Sequence, residues 1–97
     1  MDIESKLHHL TGLAREKSSE RRRTLLREVT DLFFEETPKD GSGVQKQFDA
    51  VLSTLAAQTA QDARAELARR FADAPMAPRG LVMQLARDAI EVAAPIL

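Results

Sequence analysis

Leu25-Leu26-Arg27-Glu28-Val29-Thr30-Asp31-Leu32-Phe33-Phe34 decides the fold. Leu25, Leu26, Val29, Leu32 and Phe33 recur at helical spacing and form one wide apolar stripe, which Phe34 widens further. On a strand the same positions would scatter over both faces. Upstream, Ser18-Ser19 supplies an N-cap, and Glu20 stands in the first turn, where the helix dipole favours a negative charge. The pattern predicts a helix from about Ser19 to Glu36. Downstream, Thr37-Pro38-Lys39-Asp40-Gly41-Ser42-Gly43 reads as a loop over 37–43, punctuated by Pro and Gly.

Beyond that loop, Ser42 with Gln45 has capping-box spacing, and a helix begins near Val44. Val44, Phe48, Val51, Leu52 and Leu55 share one face, whereas Ala60, Ala63, Leu67 and Phe71 share another. At ~100° per residue the two stripes differ in phase by on the order of 120°. One straight helix cannot bury both against one neighbour, so a break is expected near Ala57–Gln61. The following helix runs to about Asp73. Pro78 suits a first helical position ahead of the short apolar face of Leu81, Val82, Leu85 and Ala86. Asp88 with Glu91 reads as a capping box opening a last helix, which Pro95 kinks or ends. Before all of these, Ile3, Leu7, Leu10 and Leu13 or Ala14 predict a helix over about 2–16, weakened by Gly12.

The expected fold is therefore all-α. It has five to six short antiparallel helices, as a helical bundle or the start of a HEAT-like α-solenoid, in one domain over 1–97. The expected core is Leu7, Leu10, Leu25, Val29, Leu32, Phe33, Phe48, Val51, Leu52, Leu55, Leu67 and Phe71. The closing apolar residues, Ile90, Val92, Ala93, Ile96 and Leu97, have nothing after them to complete their pattern. They suggest an N-terminal part of a longer protein. Either the last helix folds back beside Leu81 and Leu85, or two copies pair through Val92, Ile96 and Leu97. Pairing is the expectation, because Pro95 hinders a long fold-back helix.

The totals exclude several classes. With no cysteine there is neither a disulfide framework nor a thiolate metal site. The start, Met1-Asp2-Ile3-Glu4, lacks a signal-peptide pattern, and no apolar run approaches the ~20 residues that span a bilayer. A cytoplasmic protein without membrane contact is the expectation. Aromatic residues make up 4% of the chain, all Phe, and the net charge is −1. Stacking platforms and overall attraction for nucleic acid are both poorly supplied.

Leu13-Ala14-Arg15-Glu16-Lys17-Ser18-Ser19-Glu20, Arg27-Glu28-Val29-Thr30-Asp31-Leu32-Phe33, Ala63-Arg64-Ala65-Glu66-Leu67-Ala68, Ala77-Pro78-Arg79-Gly80-Leu81 and the run from Leu85 to Leu97 are similar in order and spacing to a bacterial family of unknown function (DUF number 2336). The resemblance spans nearly the whole chain and departs mainly at Gly41-Ser42-Gly43. It implies a longer, all-helical protein with HEAT-like helix pairs, of which this chain would be the N-terminal part. It brings no activity, cofactor or site residue.

Among chemically expressive residues, His8-His9 sits ~100° apart on a helix and cannot chelate one metal as an i, i+4 pair would. Its neighbours do not match a phosphoacceptor pattern. Ser18-Ser19 beside arginines reads as a cap before it reads as a phosphorylation switch. Residues 15–27 carry six positive and two negative charges, a local excess of +4. Arg15, Arg22, Arg23 and Arg27 are thus candidates for an acidic partner. The plain alternative is a solvated helix face with Glu20 and Glu28 as intrahelical partners. No nucleophile–base pair, phosphate loop or metal spacing is present, so catalytic, cofactor-binding and metal residues are all set at none. The expected function is a non-enzymatic protein–protein interaction module, with the partner's identity open. The alternatives are a nucleic-acid-associated regulator using the Arg21–Arg27 region and a homodimerisation domain.

Overall fold

The computed structural model describes residues 18–97, of which 70% are helical, with no strand among them. The expected first helix, His8-His9, Arg15, Leu7 and Leu10 lie outside the described residues.

Helix α1 spans Ser19–Glu36. Ser18 caps it, its hydroxyl accepting from the Arg21 N–H at 3.3 Å. It ends at Thr37, whose φ of 43° lies in the left-handed region and whose N–H returns to the Phe33 carbonyl. Helix α2 spans Gly43–Ala57, starting one residue earlier than the sequence suggests, so the loop is 37–42. Ser42 caps it as expected. The side chain of Gln45 does not close the box. It accepts from Gly41 N–H and donates to Asp40 and to the Met76 carbonyl, tying two loops together.

The break falls at 58–60, where the change of stripe phase requires it, and α3 follows over Gln61–Phe71. Thr59 is buried there, with its hydroxyl donating to the Leu55 carbonyl. Helix α4 spans Arg79–Ala86. Pro78 is its N-cap rather than its first residue, with φ −59° and ψ 129°. That end has no local side-chain cap. Asp49 of α2 supplies one across the helix pair, its carboxylate accepting from Gly80 N–H at 3.0 Å and Leu81 N–H at 2.8 Å. A Cβ on Gly80 would stand 2.7 Å from an Asp49 oxygen, so glycine permits this approach.

Helix α5 spans Ile90–Ala93 and stops before Pro95, as expected. The expected capping box is corrected. Ala89 is the N-cap, and the Asp88 carboxylate turns to Arg64, accepting from Nε at 2.6 Å and Nη2 at 3.1 Å. A two-pronged guanidinium–carboxylate contact outcompetes a neutral helix N–H. Glu91 accepts from Gln61 instead of reaching back.

The core forms where α1, α2 and α3 meet. The Phe33 ring lies 5.4 Å from Phe48, edge-on, and 5.3 Å from Phe71. Every expected core residue within 18–97 is buried, joined by Leu26, Leu81, Leu85, Val92 and small alanines of α3. Two polar residues hide inside by donating to a helix carbonyl four residues earlier: Thr30 to Leu26 at 2.6 Å, and Thr59, just past α2, to Leu55.

Helix directions follow from the cross-links. Gln45 meets Met76, Asp49 meets Gly80 and Ser53 meets Gln84, each 31 residues apart. Arg23 meets Asp62, Arg27 meets Glu66 and Asp31 meets Arg70, each 39 apart. A constant offset means parallel neighbours. Thus α4 lies parallel beside α2, and α3 parallel beside α1.

Candidate functional site

Arg23, Arg27 and Asp31 stand four residues apart on α1, and so do Asp62, Glu66 and Arg70 on α3. Four residues is about one helical turn, so each trio lines one edge. In parallel register the two edges are complementary rung by rung. Arg23 Nη2 donates to Asp62 at 2.5 Å. Arg27 grips Glu66 with Nε at 3.2 Å and Nη2 at 2.9 Å. Arg70 donates to Asp31 at 2.7 Å, and its guanidinium lies 5.1 Å from the Phe34 ring centre. Arg22 Nε donates to the Gln58 carbonyl at the α2–α3 break.

The charge order on α3, Asp62 first and Arg69-Arg70 last, suits its dipole. The order on α1 runs against its own. After Glu20, arginines come early, and no base stands in the last turn. Pairing with α3, rather than the dipole, explains that order. The hydrogen bond from Arg23 holds the Asp62 carboxyl below the usual carboxylate range, and that from Arg27 does the same to Glu66. The Glu66 bond raises Arg27 in turn.

Beneath the rungs, Leu26, Thr30, Ala63 and Leu67 floor a slot of about 10 Å³, room for one water at most. Beside it, at the amino-terminal end of the seam, a wider cleft of about 420 Å³ is lined by Ser19, Glu20, Arg23, Thr24, Arg27 and Ala60.

The structure thus lines Arg23 and Arg27 along one edge against carboxylates of α3 and gives Arg22 the Gln58 carbonyl of the α2–α3 connection, whereas the plain alternative had Glu20 and Glu28 as partners. It does not bring Val92, Ile96 and Leu97 to one surface. Val92 is fully buried, with α5 packed on α3 and α4, so it offers nothing to a second copy. Ile96 is half-buried against the core, and Leu97 is 83% exposed. Within the single chain, α5 packs back onto α3 and α4. Ile90 and Met83 are the other prominent exposed apolar residues of this end.

Sequence reasoning missed Asp62, Glu66, Asp31 and Arg70 as partners of the arginines. The complementary four-residue spacing was the available signal. Among the described residues no group of three or more His, Asp or Glu side chains is placed to hold a metal. None of their helices is long and apolar enough to cross a membrane. Compared with family models, curated proteins and solved structures, the chain finds no match.

Proposed function

We propose that the chain is a non-enzymatic, cytoplasmic helical module that binds another protein, built as the start of a HEAT-like array and akin to the bacterial family of unknown function it resembles. The observation that carries this reading is the pair of constant offsets. Helix α3 stacks on α1 and α4 stacks on α2 in the same direction, the relation between successive helix pairs in repeat arrays. Such arrays present extended surfaces to protein partners. The test is affinity capture with the full-length protein, followed by reconstitution of the complex from two purified components. A one-to-one complex on sedimentation is expected. A captured set with no component that re-forms a complex would contradict the reading.

Self-association is a second reading, favoured by the exposure of Leu97 at 83% and Ile90 at 65%. It predicts a concentration-dependent mass, lost when Ile90 and Leu97 are changed to Ser. The nucleic-acid alternative has less to draw on, because all four Phe lie in or against the core and the chain has no Trp or Tyr, which leaves no aromatic face for bases to stack on.

A further inference from the structure

The cleft beside the first two rungs is lined by two arginines, two hydroxyl residues, one glutamate and one alanine. Its volume falls within the range of ligand sites. Arg23 gives Asp62 a single nitrogen, and Arg27 gives Glu66 two. A guanidinium carries five N–H donors, so both retain donors for a ligand. Both pairs are partly open to water, with side-chain exposures of 33% and 69% for Arg23 and Asp62, and 53% and 37% for Arg27 and Glu66. Exposed pairs of this kind are cheap to exchange.

We propose that this cleft receives an acidic segment of the protein partner, with Asp62 and Glu66 holding Arg23 and Arg27 as internal stand-ins for that segment's carboxylates. This rests on the partner-binding reading above and adds the site and the chemistry. The carboxylates of α3 already demonstrate the geometry in which these arginines take an acid. A partner's Asp or Glu side chain reaching into the cleft meets the donors that Asp62 and Glu66 leave over, or displaces the internal acids. Ser19 and Thr24 flank the same opening and offer hydroxyls to backbone or carboxylate oxygens. The internal acids therefore compete with the ligand, and removing one should strengthen binding.

That competition gives opposite signs to two substitutions that break the same ion pair. The probe is a fluorescently labelled hexaglutamate peptide, titrated at low salt into the whole chain, with hexaglutamine as control. Binding of the glutamate peptide alone is expected. Arg23→Gln should weaken it about tenfold, the loss of a charge-assisted contact. Asp62→Asn should tighten it about two- to fivefold, the release of one exposed pair. Circular dichroism on both variants verifies folding, and damage to the fold would move both in the same direction. No binding of hexaglutamate, or same-sign effects, overturns the proposal without touching the reconstitution test of the module itself. An oligonucleotide of equal charge binding more tightly, with the same response to Arg23→Gln, overturns it in favour of a nucleic-acid site.

Discussion

The two parallel seams of this molecule are held by different means. Between α1 and α3 the links run side chain to side chain, through exposed arginines and carboxylates. Between α2 and α4 they run side chain to backbone: Asp49 to the first amides of α4, Gln84 to the Ser53 carbonyl, Gln45 to Met76. Asp49 and Gln84 are half-buried and Gln45 is buried. The bonds to Leu81, Ser53 and Met76 are part-buried, and water competes for them less well than for surface ions. One seam is thus a structural joint, and the other a register mark whose charges remain exchangeable.

The largest effect should come from the core that both seams share. Phe33→Ala should cost about 3–5 kcal/mol, because its ring packs on Phe48 of α2 and Phe71 of α3 at once. Urea melts give the value. A cooperative melt left unchanged would take Phe33 out of the core.

Next comes the α2–α4 joint. Asp49→Ala should cost about 2 kcal/mol, since two amides of α4 lose their only cap. Gly80→Ala should cost about 1 kcal/mol or less, because the new Cβ turns the Asp49 carboxylate off the two amides while alanine favours the helix. The two should not add, because both act on one contact. An additive double variant would separate the glycine from the cap.

A smaller effect concerns acid. The hydrogen bonds from Arg64 hold the Asp88 carboxyl below the usual carboxylate range. The unfolded chain therefore takes up that proton at a higher pH than the folded chain. The stabilisation is full above the ordinary carboxylate range and is lost as pH falls through the lower, folded value. Asp88→Asn should lower stability at neutral pH and flatten its fall on acidification, as read from urea melts across the acid range. An unchanged acid slope would remove Asp88 from that dependence.

The smallest effect should be at the α1–α3 seam. Arg23→Gln should lower the melting temperature by a few degrees at most, and about 1 M salt should erase the difference. Asp49→Ala should keep its cost in the same salt. A salt-insensitive loss at Arg23 would erase the distinction between the seams.

Much of the architecture was legible because helical periodicity is local. The stripe from Leu25 to Phe33 placed α1, and the change of stripe phase placed the break between α2 and α3 without any Gly or Pro to mark it. What escaped was decided across the fold. Asp88 has the spacing of a cap, and only its nearness to Arg64 diverts it. The arginines of α1 had Glu20 and Glu28 close in sequence, while their true partners stand 39 residues away. Val92 looked like a sticky end because the cover provided by α3 cannot be read from its neighbours. Thr30 and Thr59 escaped because each bonds a carbonyl four residues earlier in the chain, leaving no trace in the apolar pattern.

The parallel register of α1 and α3 is the claim on which the rest depends. Exchanging the charges of one rung, with Arg27→Glu and Glu66→Arg made singly and together, tests it most directly. Melting temperatures at low salt are the readout. If α1 lies beside α3 in the described register, each single reversal sets like charges against each other and lowers the melting temperature. The double exchange restores most of the loss. A double variant as unstable as the sum of its parents would contradict the register.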